Sequence, residues 1–118
     1  MKGNFDTDYG KVVIDETVIA KIAGLAALEC AGIVGMGALS KRDGVIKLLA
    51  RKSVTRGLKV EIDHNEIILE FHVIVAAGVS IPTIAQNLME TVRYQVESAT
   101  GFSVKNISMY VEGVRMID

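Results

Sequence analysis

The segment 10–36 constrains the fold more than any other part of the chain. It contains a short β-branched strand around Val12 and Ile14, a helix capped by Asp15, and a second apolar strand after Gly32. An aspartate carboxylate accepts hydrogen bonds from the free amides at a helix start, and glycine commonly follows a helix end. The segment therefore predicts a strand–helix–strand unit that the rest of the chain must complete.

The helix of this unit is predicted to run from Asp15 to about Glu29, with Gly32 as its stop signal. Apolar residues recur along it at spacings of three and four, so one face must be buried. Lys21 and Glu29 lie off that face. The predicted buried face consists of Val18, Ile19, Ile22, Ala23, Leu25 and Ala26.

The middle of the chain combines an ambiguous segment with a clear hairpin. Residues 45–52 fit either two turns of amphipathic helix or a loop. Residues 58–63 and 67–75 both alternate between apolar and polar side chains, which is typical of half-buried strands. His64 and Asn65 lie between them, and asparagine tolerates the left-handed conformation that a two-residue turn requires. An antiparallel hairpin is therefore predicted.

A second long helix is predicted from Ser80, its cap, to about Ala99, with Pro82 in the first turn and Gly101 as the stop. A final strand follows at residues 104–114. The predicted buried stripe of the helix consists of Ile81, Ile84, Ala85, Leu88, Val92, Val96 and Ala99.

These elements predict an α+β fold, a two-layer sandwich in which two long helices cover one face of a mixed sheet of about five strands. The predicted order is strand, helix, strand, short helix or loop, strand, strand, helix, strand. Residues 10–118 form a single domain in this interpretation, and residues 1–9 form a loose N-terminal segment. The polar alternation of the hairpin leaves the other sheet face partly solvated.

Charge is balanced overall but uneven along the chain. Thirteen basic and 14 acidic residues give a formal net charge of −1, which indicates no global preference for nucleic acid or membranes. Within residues 40–57, six basic residues accompany a single acid, Asp43. This basic segment is either a solvated loop or a site for an anionic partner, namely an acidic protein surface, anionic lipid or RNA. Its basic residues are Lys41, Arg42, Lys47, Arg51, Lys52 and Arg56.

The sequence predicts a cytoplasmic protein that does not itself cross a membrane. Cys30 is the only cysteine, so no internal disulfide can form, and the N-terminus has no apolar signal core. The longest uncharged run, residues 73–89, is interrupted by polar residues, whereas a membrane helix needs about 20 mostly apolar residues. Cys30 is expected to be a small buried residue rather than a reactive thiol.

No motif predicts a catalytic, cofactor or metal site, and the chain is not expected to be an enzyme. The glycine-rich segment 32–40 lacks the lysine of a phosphate-binding loop and the last small residue of a dinucleotide fingerprint. Its Gly-Ile-Val-Gly sequence also matches the loop of KH domains, but its apolar centre favours a strand. His64 is interpreted as a turn residue. His72 is interpreted as an outward sheet residue, and with Glu70 it would provide only two metal ligands.

Several blocks of the sequence resemble the bacterial alkaline-shock or envelope-stress-response family, the general stress protein family found mainly in Gram-positive bacteria. The resemblance covers residues 9–115 in order and spacing. One departure is Ala77, since members commonly place an aromatic residue before Gly78. The blocks that carry the resemblance are residues 10–14, 18–23, 32–36, 57–62, 78–82, 96–102 and 104–114.

The resemblance implies a small cytoplasmic protein without established catalytic residues or cofactors, associated with cell-envelope stress or homeostasis. Some relatives self-assemble or are held at the membrane by a partner protein. We therefore expect a non-enzymatic interaction or scaffold protein that forms homo-oligomers or is recruited by a membrane-anchoring partner. Ile68 and Ile74, expected on the polar sheet face, are candidate contact residues. The alternative is a small nucleic-acid-binding module that uses the basic segment.

Overall fold

A computed structural model of the protein describes residues 2–39, 46–48 and 57–116. Within these ranges the chain forms one two-stranded sheet, one five-stranded sheet and two helices. The elements in chain order are β1 (Lys2–Thr7), β2 (Gly10–Asp15), α1 (Glu16–Leu28), β3 (Ile33–Leu39), β4 (Ile46–Leu48), β5 (Leu58–Asp63), β6 (Glu66–Ala76), α2 (Ile81–Thr100) and β7 (Ser103–Arg115).

Strand β6 is the centre of the larger sheet because it pairs with three other strands. Along one edge it pairs in parallel with β7 over its whole length. Its other edge is shared: β5 pairs antiparallel with residues 66–71, and β3 pairs antiparallel with residues 73–75. The sheet is therefore mixed, as the sequence predicts.

Strands β3 and β5 meet end to end on the edge of β6. Met36 is the last residue of β3 that pairs with β6, and from Gly37 the strand pairs with β4 instead. Gly57 precedes β5 and lies so close that a Cβ atom there would be 3.0 Å from the Gly37 carbonyl oxygen. A larger residue at Gly57 would push the two strand ends apart.

The hairpin of β5 and β6 forms as predicted. His64 and Asn65 have φ angles of 52° and 64°, the two consecutive positive values of a type I′ turn. This turn matches the right-handed twist of the flanking strands, so it fixes their register. The Asn65 side chain also accepts a hydrogen bond from the backbone N–H of Asn4, which ties β1 to the turn.

Both helices cover the same face of the sheet, which confirms the α+β sandwich. Alternate residues of β6 face the helices, and five of them are at most 1% exposed: Ile67, Leu69, Phe71, Val73 and Val75. They form one hydrophobic cluster with residues of α1 and α2. Because residues of both helices belong to this cluster, both helices pack on the same face of β6. The alternation along β6 therefore produces the two-layer arrangement.

Helix α2 has the predicted ends and most of the predicted buried stripe. Ser80 accepts a hydrogen bond from the Thr83 N–H, and Gly101 ends the helix in the left-handed conformation. Ile81 and Ala99 differ from the prediction, since both are exposed at the helix ends. The buried stripe is Ile84, Leu88, Val92, Val96 and Thr100, at a strict four-residue spacing.

Two side chains of α2 bind the start of β7. Arg93 donates a hydrogen bond to the carbonyl oxygen of Val104, and a Glu97 carboxylate oxygen accepts one from the Val104 N–H at 2.8 Å. Both backbone groups of one strand residue are therefore held by the helix. This contact fixes where β7 begins beside β6.

Helix α1 begins and ends close to the predicted residues, but Gly32 is not its stop signal. The Asp15 carboxylate accepts a hydrogen bond from the Thr17 N–H at 3.0 Å. The last helical residue is Leu28 and the C-cap is Glu29, so Gly32 does not end the helix. Gly32 instead has a φ of 91° in the turn before β3, and a Cβ atom there would lie 2.7 Å from the Ile84 side chain.

The buried face of α1 differs from the prediction. Periodicity places Val18 and Leu25 in the core, but they are 47% and 41% exposed. The helix instead turns its small residues inward, which allows its backbone to approach its neighbours closely. A hydrophobicity scale assigns valine and leucine to the core before alanine and glycine. The predicted buried face of the helix is therefore rotated about the helix axis relative to the observed one. The buried residues are Ile19, Ala20, Ala23, Gly24, Ala26 and Ala27.

The N-terminal prediction is also corrected. Residues 1–9 are expected from sequence to be loose, but Lys2–Thr7 form β1 and pair with β2. Because β2 belongs to this separate two-stranded sheet, the predicted strand–helix–strand unit does not lie within one sheet. Phe5 contacts Phe102 edge to face, with ring centroids 5.6 Å apart, and this contact holds the hairpin to the domain.

The segment 45–52 gives a third correction. Residues Ile46–Leu48 form a strand, β4, rather than part of a helix, and pair antiparallel with β3 from Gly37 to Leu39. A short apolar run bordered by glycine fits a strand or a helix equally well by periodicity. The other residues of the segment, 45 and 49–52, lie outside the described ranges.

The core assignment can be tested by truncating Leu88, which is fully buried. We expect Leu88→Ala to lower the free energy of unfolding by about 2–5 kcal/mol, because it removes buried apolar contacts and leaves a cavity. Leu25→Ala is the matched control on an exposed helix face and should change stability by about 0.5 kcal/mol or less. Urea denaturation followed by circular dichroism measures both. Equal effects of the two substitutions would contradict the helix packing.

Candidate functional site

The candidate site is the outer face of the five-stranded sheet, defined as the face opposite α1 and α2. Side chains reach it from β5, β6 and β7 because alternate residues of each strand point away from the helices. Its central residues are Lys59, Ile68, Glu70, His72, Ser108, Tyr110 and Glu112. All seven are half-buried or exposed, and Tyr110 is 49% exposed.

A network of ion pairs is centred on His72. Its Nδ1 lies 2.6 Å from a Glu112 carboxylate oxygen, and its Nε2 lies 3.0 Å from a Glu70 carboxylate oxygen. A neutral imidazole has only one N–H, so both contacts are hydrogen bonds with the ring as donor only when the ring is protonated. The geometry therefore favours the charged form of His72.

The aromatic ring of Tyr110 stacks on His72. The two residues are directly opposite each other on β6 and β7, with ring centroids 5.1 Å apart and planes inclined by 12°. A cation above an aromatic face is attracted by the ring electrons. The stacking therefore adds a second reason for the imidazolium form and fixes the orientation of the Tyr110 ring against His72.

Glu112 shares the outer face with Tyr110 because it lies two residues further along β7, and alternate residues of a strand point to the same face. The pairing with β6 shifts at this position: Val111 pairs with Val73 and Gly113 pairs with Ile74, so Glu112 is the extra residue between them. Its carboxylate lies beside the His72 ring.

The environment raises the pKa of His72 above its ordinary value of 6.5. Burial acts in the opposite direction, but the hydrogen bonds to Glu112 and Glu70 and their negative charges outweigh it. Lys59, the residue of β5 opposite Glu70, is the cation that faces this network from the other side. Because the pKa is raised by folding, protonated His72 stabilises the fold at low pH, and this stabilisation is lost as pH rises through the folded-state pKa.

The network can be tested through its pH dependence. We expect the difference in unfolding free energy between the wild type and His72→Gln to be largest below about pH 6 and to fall towards pH 8. Its size should be about 0.3–1 kcal/mol, because water screens the half-buried ion pairs. Urea titrations at a series of pH values measure it.

His64→Asn is the control, since His64 is 94% exposed and asparagine suits the turn. This variant should keep the pH dependence. It also assigns the two histidines in a proton NMR titration. A His72 pKa at or below the ordinary value would contradict the assigned network.

The structure corrects one of the two predicted contact residues on this face. Ile74 is expected from sequence to be exposed, but it is 3% exposed. Ile68 is half-buried on the outer face. The prediction that His72 points outward is confirmed by its contacts. Alternation along each strand places His72 with Glu70 and Tyr110 with Glu112, but the sequence contains no local signal for the register of β6 and β7 that brings the two pairs together.

Cys30 is predicted from sequence to be a small buried residue, and no metal site is predicted. Cys30 is 8% exposed, as predicted, and its burial raises the pKa of the thiol. It therefore lacks the thiolate character that reactive cysteines need. Within residues 2–39, 46–48 and 57–116, no three His, Cys, Asp or Glu side chains could hold a metal ion together. His72 itself uses both ring nitrogens on carboxylates.

A cleft of about 320 Å³ lies between the first turn of α1 and β5. Its apolar floor comes from both elements, and Lys59 links it to the edge of the outer face. No residue predicted from sequence as a site residue lines it. The lining residues are Glu16, Thr17, Ala20, Leu58, Lys59 and Val60.

Of the six basic residues predicted to bind an anionic partner, the structure describes one. Lys47 belongs to β4, beside β3. The other five predicted binding residues lie outside the described ranges: Lys41, Arg42, Arg51, Lys52 and Arg56. None of the helices that the structure describes has the length and apolar character required to cross a bilayer.

Comparison with known proteins assigns the chain to a family described as related to the cell envelope. Residues 4–116 match the model of the alkaline shock protein family, which is described as having a "cell envelope-related function". This match spans nearly the whole chain, and the protein therefore belongs to the alkaline shock protein family. The resemblance found in the sequence is confirmed.

Individual relatives agree with the family assignment. The chain is 36% identical over 111 residues to the uncharacterized protein YloU of Bacillus subtilis, covering 93% of this chain and 92% of that protein. It is 32% identical to the uncharacterized protein YqhY of the same organism, covering 93% and 81%. It is 24% identical to a stress response regulator gls24 homolog of Streptococcus pyogenes, covering 90% and 59%. The search of solved structures found no match.

Proposed function

We propose that the protein is a non-enzymatic interaction protein of cell-envelope stress or homeostasis, which self-associates or is recruited by a membrane-anchoring partner. The family description supports the link to the envelope, and the name of the gls24 homolog supports the link to stress. On this proposal the protein is cytoplasmic and reaches the membrane only through its partner.

The observation that carries the proposal is the composition of the outer face. Tyr110 is half-exposed and stacked on His72, and Ile68 adds an apolar surface on the neighbouring strand. Aromatic side chains are enriched in protein interfaces, and tyrosine is among the residues that contribute most to binding. The two carboxylates beside Tyr110, those of Glu70 and Glu112, both lie within ion-pair distance of His72.

Self-association can be tested by light scattering over a range of protein concentrations. We expect the average mass to rise with concentration, and Tyr110→Ser to shift the midpoint of this rise to a concentration about tenfold higher or more. Tyr94→Ser is the matched control, because Tyr94 is 71% exposed on α2. A wild-type protein that stays monomeric at every concentration would contradict the self-association part of the proposal.

Recruitment by a partner needs a separate measurement. The wild type and Tyr110→Ser should be used as baits in pull-downs from cells of the native species, with Tyr94→Ser as control. A membrane protein retained by the wild type and Tyr94→Ser but lost with Tyr110→Ser would support recruitment through the outer face. Equal retention by all three would place recruitment elsewhere.

The nucleic-acid alternative depends on the basic segment, and it stays a prediction. If the segment binds RNA, Arg51→Glu with Lys52→Glu should abolish binding, and wild-type binding should weaken steeply with added salt because counterions are released. Lys11→Glu with Lys21→Glu is the control, since it changes the net charge equally at exposed sites. Gel-shift titrations at two salt concentrations measure this. No binding at low salt would contradict the alternative.

A further inference from the structure

Strand β7 lies at an edge of the five-stranded sheet and is unusually long for that position. It pairs with β6 from Ser103 to Arg115, and no pairing on its other side occurs among the described residues. The unpaired N–H and C=O groups of an edge strand are a template for another strand. Natural proteins commonly protect such edges with charged residues, proline or bulges.

The protection of β7 is confined to the two ends of an uncharged segment. Residues 106–111 contain no charged residue and no proline. Lys105 precedes them and Glu112 follows them, and both coincide with shifts in the pairing with β6. The centre of the edge, around Ser108 and Tyr110, therefore lacks the features that prevent strand addition.

The edge strand β5, across β6 from β7, differs. It is only six residues long, and charged residues alternate along it: Lys59, Glu61 and Asp63. Charged side chains on a short edge strand disfavour pairing with another chain. Of these two edge strands, β7 is therefore the one suited to accept a strand.

We infer that a second copy of the protein pairs through this edge, with β7 of each copy antiparallel to the other and related by a two-fold axis. This inference rests on the self-association in the proposed function and assigns the contact to the edge of β7, the strand that carries Tyr110. The two five-stranded sheets become continuous, and their outer faces lie on the same side.

The two-fold axis passes beside Ser108. We align the strands so that Ser108 of one copy lies opposite Ser108 of the other. Residues that are directly opposite in an antiparallel pair point to the same face, so this alignment keeps the outer faces of the two copies on one side. Ser108 is also near the middle of the uncharged segment. The same patch on both copies makes the interface self-complementary, as two-fold symmetry requires.

Charge complementarity selects the second copy and its direction. The alignment brings Lys105 of each copy to within one residue of Glu112 of the other, at both ends of the uncharged segment. A parallel alignment would place like charges together. The Lys105 ammonium lies 3.5 Å from an Asp63 carboxylate oxygen but has three donors, and Glu112 has a second carboxylate oxygen besides the one on His72. Both side chains therefore retain capacity for the contact.

Disulfide trapping tests the geometry. In this pair the Cα atoms of Ser108 in the two copies fall within the range of about 4.4–6.8 Å that a disulfide can span. Ser108→Cys, made together with Cys30→Ala, should form a covalent dimer on mild oxidation, seen on a non-reducing gel. Ser98→Cys in the same background is the control, because Ser98 is exposed on α2 and should not cross-link.

A charge substitution tests the energetics. Ser108→Lys places two like charges directly opposite each other and should raise the midpoint concentration of association about tenfold or more. Ser98→Lys should leave it unchanged. Sedimentation equilibrium measures association, and thermal melts verify that both variants are folded. Loss of association with Ser108→Lys alone, together with cross-linking at position 108, supports the inference.

Two results would overturn it, and they can be told apart. If the wild type associates, Ser108→Lys associates equally and Ser108→Cys does not cross-link, the β7 edge is not the interface, while the proposed self-association stands. If the wild type is monomeric at every concentration, the proposed self-association fails and this inference fails with it.

Discussion

The fold depends on the pairing of β6 with three other strands. One edge of β6 carries β7 in parallel, and the other carries β5 and β3 in succession. The alternation of β6 then divides the molecule, because Phe71 and its neighbours on one face are covered by both helices while His72 and Glu70 lie on the other. Stability and the candidate site therefore depend on the same strand.

The elements that depend on local sequence preferences are predicted correctly. The turn at His64 and Asn65 and the capped helix α2 follow from backbone preferences and periodicity, and both are confirmed. The prediction fails where distant contacts decide the structure. The pairing of β1 with β2 has no local signal, and the orientation of α1 depends on close packing of small residues, so that periodicity assigns Val18 and Leu25 to the wrong face.

The candidate site is only partly accessible from the sequence. The alternation of β6 predicts that His72 and Glu70 share the outward face, and the structure confirms it. Tyr110 stacks on His72 only because of the parallel register of two strands separated by a whole helix. Glu112, two residues after Tyr110, joins them through the same register. The sequence predicts which way each of these side chains points, but it does not predict that they contact one another.

Gly57 lies against Gly37, so the residue before β5 meets β3 at the point where β3 stops pairing with β6. Because β3 and β5 are each aligned by their own pairing with β6, their registers do not depend on the number of residues that connect them. Six of the 13 basic residues of the chain lie in that connection. The core residues that the structure describes all lie outside residues 37–57, so the charge of the connection can change without any substitution in this described core.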